Sequence, residues 1–483
     1  MTRRWLPVAL PARPLVYAGV AAFATGFSAL ATLRHEAFNS GRFDLGNMVQ
    51  AVWSTSEGHP LRITDLQGDQ ISRLAAHFDP VLALLAPLWW LWPSPAALLV
   101  LQAATLSLGA FPVFWLARKH VGSDRAGGAF ALAYLLYPAT QWLSLDDFHP
   151  VALACPALLF AFWYLDQDQL LLFGLFSFLA VLTREEVALA VAAAGVWYAL
   201  GRRRWLAGAG VAVAGMVVAT VAVAVVIPHF NDGRSSTFYG RYSEVGGSPG
   251  GILRTAFTDP LRLLEVALDG NGFRYMAELV LPLAALSLLS PLALLPALPQ
   301  LALNLLSTTP TQTSIHFHYT ATIIPAIFLA AVLGAGRLER SGRLGHGSLT
   351  TLLLAAALAS NYRLGAIPLW QHLPGGESLQ GDAALVTAHD RIAQRALELV
   401  PADAAVSSTN SLGAHLSARE RILSFPVIRD ATWVLADVTK PSYADRIDEQ
   451  AEVAMAARLG TLRQSKRWRL VFERDGILVF RRR

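Results

Sequence analysis

Cysteine is almost absent: Cys155 is the only one in 483 residues. This excludes an internal disulfide and any site built from several thiolates. Charge is thin as well. Asp, Glu, Lys and Arg make up 15% of the chain, against about 25% in an average soluble domain. No G-x-G-x-x-G and no P-loop occurs, so a nucleotide-phosphate cradle is not expected. Zinc-finger spacings, aromatic–basic RNA motifs and a basic recognition helix are missing, and nucleic acid is not an expected partner. No internal repeat is apparent.

What remains is apolar. Hydrophobic residues make up 54% of the chain, and the mean hydropathy is +0.43. The charges collect between apolar runs. That pattern is an integral membrane protein with several spans and one appended domain. Net charge is +5. Basic residues such as Arg202, Arg203 and Arg204 flank apolar segments and read as topology signals and headgroup contacts.

The first span is expected over 14–33, behind Arg3, Arg4 and Arg13. A signal peptide is the alternative, but the apolar run exceeds the usual h-region of about 7–15 residues. A retained span puts the N-terminus in the cytoplasm. A long polar outer loop, 34–78, follows. Residues 81–92 are too short to cross and carry Trp89, Trp90 and Trp92, which suits a helix in the interface. Further spans are expected over 95–117, 125–140 and 150–165.

Residues 170–200 would make one helix about 46 Å long with three charges near its middle. Two short helices meeting at Thr183–Glu186 avoid that cost. A span over 205–228, a second long outer loop over 229–275, apolar segments at 276–289 and 292–306, and spans at 319–336 and 348–362 complete the body. The expected total is about eleven transmembrane helices, an all-α polytopic domain over 1–369 in the plasma membrane. From 370 to 483, strand-like and helical runs alternate. Arg474-Asp475-Gly476 between two alternating strands is a hairpin signal. A small extracytoplasmic α/β domain is expected there.

Six segments stand together in order: FDLGNMVQAVW (43–53), HFDPVLALLAPLWWLWPSP (77–95), DFHPVALACPALL (147–159), TREEVAL (183–189), IHFHYTATIIPAIF (315–328) and SSTNSLGAHLSARERILSFP (407–426). The set resembles a bacterial and archaeal family of predicted polytopic membrane proteins, domain of unknown function two-zero-seven-nine. Its layout is in turn similar to the GT-C superfamily of membrane glycosyltransferases. That resemblance implies a catalytic acidic residue early in the first outer loop and a second acidic motif in the next. It also implies a sugar donor carried on polyprenyl phosphate among membrane lipid, and often a C-terminal outer domain.

Asp44 is the expected catalytic base, about ten residues past the first span. A carboxylate in reach of an acceptor hydroxyl takes or orients its proton, and Phe43 and an interfacial setting would raise its pKa. The plain alternative is a loop carboxylate paired with Arg42, or one capping a helix over 45–55. Asp146, Asp147 and His149 form the second cluster. Asp147 is the second expected catalytic carboxylate, Asp146 and His149 are expected on the donor phosphate, and Asp147 with His149 suits a divalent cation. No other cofactor is expected. The alternative for Asp147 is an N-cap on the helix starting at Pro150.

Glu185 is the third expected catalytic carboxylate, with Arg184 on the phosphate. The alternative is an Arg–Glu pair that pins the hairpin. His316, His318 and Tyr319 are expected near the phosphate, against an interfacial belt. Asp166-Gln167-Asp168 lies on the cytoplasmic side and reads as a solvated connector. A transporter or lipid flippase is the rival function, predicting an inverted repeat; a cell-envelope binding or scaffold protein is another.

Overall fold

The computed structural model describes residues 12–234, 237–269, 271–376, 383–442, 445 and 449–483. Arg3 and Arg4 fall outside them. The first helix, Ala12–Glu36, covers the expected span. Its 25 residues reach about 37 Å, enough for about 30 Å of hydrocarbon. Among the described residues three helices are long and apolar enough to cross a bilayer: Ala12–Glu36, Pro95–Val121 and Trp205–Phe230. Five more apolar helices are shorter: Val81–Leu91, Pro150–Asp166, Leu170–Val181, Val187–Arg202 and Pro291–Leu305. The expected count of about eleven spans is therefore not met by length and composition.

The 170–200 stretch does break in two, into Leu170–Val181 and Val187–Arg202. Thr183 Oγ1 donates to the Ala180 carbonyl at 2.6 Å, and the Val81 N–H donates to Leu182 O at 3.0 Å. Both hold the break in place. The second half packs on Trp205–Val221 at backbone distance: a Cβ on Gly195 would come within 2.5 Å of the Ala212 nitrogen. Small residues allow such contact between apolar helices.

Two outer-loop expectations need correction. The polar loop 34–78 contains the helix Asn47–Ser56 and a two-stranded ribbon, β1 (Arg62–Thr64) and β2 (Gln70–Ser72). The segment 229–275 is largely helical, with Pro249–Thr258, Pro260–Leu268 and the start of Asn271–Val280. Ser248 and Asp259 cap the first two, each followed by proline at the first helical position. The apolar 276–306 stretch is cut by Pro282, Pro291 and Pro296 into short 3₁₀ turns before Leu298–Leu305.

The C-terminal part is a five-stranded sheet. Its strands are β3 (Val406–Ser408), β4 (Ile422–Ser424), β5 (Trp433–Asp437), β6 (Trp468–Arg474) and β7 (Ile477–Arg482), in the order β4-β3-β5-β7-β6. β3 runs parallel to β4 and β5; β7 runs antiparallel to β5 and β6. Asp475 and Gly476 make the β6–β7 turn with φ of 50° and 77°, as a two-residue primed turn requires. Alternate strand residues face two cores. Val406, Leu435 and Val479 meet the helix Ala388–Leu397; Val434, Ala436 and Phe480 meet Glu449–Gln464.

The segment 34–78 is built into this sheet. Phe38 enters one of its cores. Arg42 is fully buried and donates to Ser424 Oγ at 2.6 Å, Thr64 O at 2.6 Å and Ile422 O at 2.7 Å. Gln50 Nε2 donates to Arg419 O at 3.0 Å.

Candidate functional site

Residues 41–44 are clamped from both sides. The Gly41 N–H donates to Asp147 Oδ2 at 2.9 Å, Arg42 is anchored as above, and the Phe43 N–H donates to Asn410 Oδ1 at 2.9 Å. Arg42 therefore does not pair with Asp44. The side chain of Asp44 is 44% exposed, with Oδ1 3.4 Å from His149 Nε2. Asp44 caps no helix: Gly46 holds the position before Asn47–Ser56. Burial falls instead on Asp146 and Asp147.

Those two sit on a turn after the helix Pro138–Leu145. Asp147 adopts φ of 44°, and Gln102 fixes the turn by donating to Asp147 O at 2.5 Å and accepting from the His149 N–H at 2.9 Å. Asp147 is not an N-cap for Pro150; its carboxylate holds Gly41. Burial, with Asp44 adding to it, pushes its pKa to about 7. Burial raises Asp146 to about 6. Burial opposes charge on His149, but Asp146 and Asp44 outweigh it and lift the imidazole to about 9. His149 Nδ1 lies 2.6 Å from Asp146 O.

His318 closes the cluster. Its N–H donates to Asp146 Oδ2 at 2.7 Å, its Nδ1 lies 3.0 Å from the same oxygen, and its ring stacks on His149 at 3.7 Å. Among the described residues, the grouping of the type that holds a metal ion is Asp146, His149 and His318, with ligand atoms within 4.8 Å of one another. This revises the expected pair: Asp147, engaged by Gly41, is replaced by Asp146 and His318. His316 is apart, exposed and against Trp142 with ring centroids 4.6 Å apart.

A cavity of about 610 Å³ opens beside Asp44 and His149. Its other walls include Arg73, Arg184, Arg241 and Tyr319. Arg241 was not expected. Its Nη1 donates to Tyr319 Oη at 3.3 Å and its guanidinium lies 4.6 Å over the Phe238 ring. A second cavity of about 210 Å³ shares Arg184, Arg241 and Tyr319, is polar at Glu185, Glu186, Gln300 and Gln312, and has an apolar side formed by residues such as Leu189, Ala219, Val223 and Ile227. These four come from the helices on either side of the Gly195 contact.

Glu185 is drawn away from Asp44. Its Oε1 lies 2.8 Å from His77 Nδ1, and its Oε2 accepts from the Phe78 N–H at 2.9 Å. Arg184 Nε pairs with Glu186 Oε1 at 2.9 Å. Glu185 and Glu186 line the second cavity, not the first. Asp166 is no solvated connector: it is buried among Lys119 (2.8 Å), His120 (2.9 Å) and Arg202 (3.2 Å). Asp168 pairs with Arg204 at 2.7 Å.

A family model described as "Predicted membrane protein (DUF2079)" matches residues 34–479. No curated protein shows a significant sequence match. Among solved structures, the crystal structure of the Archaeoglobus fulgidus oligosaccharyltransferase, a complex with zinc and sulfate, is similar at 15% identity. The match covers 86% of this chain and 68% of that one, with a TM-score of 0.46.

Proposed function

We propose that this chain, which belongs to the DUF2079 family of predicted membrane proteins, is a GT-C-like membrane glycosyltransferase. It moves a sugar from a polyprenyl-phosphate donor to an acceptor on the extracytoplasmic side of the plasma membrane. The observation that carries the reading is one cavity lined by Asp44, His149, Arg184, Arg241 and Tyr319, sharing the last three with a smaller cavity whose apolar side lies between two helices.

Asp44 is the general base. The acceptor hydroxyl oxygen attacks the anomeric carbon, its proton passes to Asp44, and the bond from that carbon to the phosphate oxygen breaks. His149 holds Asp44 in place. Negative charge grows on the departing phosphate, where fixed cationic donors are most effective. Arg184 and Arg241 meet it there, and Tyr319 holds Arg241. The apolar side of the smaller cavity, at Leu189, Ala219, Val223 and Ile227, takes the first part of the lipid. A divalent cation fits Asp146, His149 and His318, two imidazoles and one carboxylate, and would supply further positive charge near the phosphate.

The test is Asp44→Asn assayed with a polyprenyl-phosphate-linked sugar. Transfer is lost while thermal unfolding is unchanged. Undiminished transfer by the folded variant overturns the assignment.

A further inference from the structure

The segment between Phe230 and Asn271 carries apolar side chains at helical spacing on two faces. On the helix Pro249–Thr258, Ile252 packs inward beside Tyr242 and Val245; on Pro260–Leu268, Leu263 and Val266 do the same, with Leu306 beneath. The opposite face is Leu253 and Phe257, then Leu261, Leu264 and Leu268. These five are between 56 and 88% exposed. A helix apolar on both faces and packed on one has a face that water does not suit.

The neighbouring chain identifies what covers it. The helix Trp205–Phe230, long and apolar enough to cross a bilayer and only 22% buried, leads directly into this segment. After it, Leu281, Leu288, Leu292 and Leu298 are again exposed. The helix pair thus lies in the chain between two stretches with exposed apolar side chains. Its polar groups lie at the edge, where Arg262 pairs with Glu244 at 2.8 Å and with Glu265 at 3.5 Å. Ile252 of the pair, with Tyr242 of the preceding turn beside it, lines the smaller cavity.

We propose that the helix pair 249–268 lies in the interfacial plane of the leaflet nearest the cavity, with Leu253, Phe257, Leu261, Leu264 and Leu268 among the acyl chains. The pair then forms the wall between the leaflet and the smaller cavity, and lipid rather than water stands at its mouth. The proposal rests on the chain spanning a bilayer, not on sugar transfer, and its test reads depth alone.

Leu253→Cys, Phe257→Cys, Leu261→Cys and, as an aqueous reference on the C-terminal sheet domain, Lys466→Cys are made in the full chain. Cys155 is fully buried and is kept. Each is labelled with a nitroxide in vesicles of phosphatidylethanolamine and phosphatidylglycerol. The expected result is a ratio of oxygen to nickel-chelate accessibility above one at 253, 257 and 261 and below one at 466. A ratio at 257 and 261 no higher than at 466 overturns the proposal. Spin–spin broadening at 257, the mark of a second copy on this face, overturns it too.

Discussion

His149 Nε2 lies 3.4 Å from Asp44 Oδ1 while its Nδ1 lies 2.6 Å from the Asp146 carbonyl oxygen. One ring therefore joins the two acidic segments, which are about a hundred positions apart in the chain. With its pKa lifted to about 9, the ring without a metal is cationic at neutral pH and donates toward both; a cation held at Asp146, His149 and His318 would displace one of these protons and take its place beside Asp44. His149→Gln keeps a polar group but removes the charge. It should lower kcat about tenfold to a hundredfold, the usual cost of a lost orienting partner, with little change in the donor KM. Steady-state kinetics with varied donor checks the split.

Arg42→Ala removes the donors from two buried carbonyls, Thr64 O and Ile422 O. An orphaned buried acceptor costs about 1–3 kcal/mol, so the variant should lose about 2–6 kcal/mol in all. Denaturant unfolding in detergent measures it. Arg42→Lys should recover only part, since an ammonium does not fork to three acceptors as a guanidinium does.

Arg241→Gln should raise the donor KM about tenfold or more, the loss of one charge-assisted hydrogen bond. Binding of free polyprenyl phosphate, measured by calorimetry, should weaken in parallel. Unchanged affinity would place the phosphate elsewhere.

Manganese or zinc titrated into the protein should bind at Asp146, His149 and His318. The affinity should fall as pH falls, because a bound ion displaces protons from its ligands. Asp146→Asn and His318→Ala should each abolish the heat of binding. Asp147→Asn should leave most of it.

His389 gives the C-terminal domain a pH dependence. Burial opposes its charge, but Asp437 and Asp475, each 2.9 Å from a ring nitrogen, hold its pKa above the ordinary 6.5. Lys440, 3.4 Å from the neighbouring Asp390, is the nearby cation. A group whose folded-state pKa is raised stabilises fully below its unfolded value and loses that stabilisation as pH rises through the folded one. Thermal stability should therefore decline as pH climbs above about 6.5, and His389→Gln should flatten that part of the curve.

Local signals were read well from sequence. The break at Thr183–Glu186, the Asp475-Gly476 turn and the first long apolar helix depend on residues within one turn or one helix. The helices over 249–268 were missed although Ser248-Pro249 and Asp259-Pro260 are cap-and-start signatures; the glycines nearby obscured them. Arg241, Asn410 and the anchoring role of Arg42 left no local trace. Each matters through partners 78 to 382 positions away, and periodicity carries no record of such distances.

The anchoring of Arg42 has a consequence for biosynthesis. Its acceptors at Ile422 and Ser424 are translated some 380 residues after it. The loop bearing Asp44 emerges early, is held first through Thr64 and Asp147, and gains its remaining anchors only when β4 has been made and folded. A ribosome that stalls before β4 leaves the segment around Arg42 without two of its three anchors. Local order at the Asp44 segment thus depends on residues made hundreds of positions later.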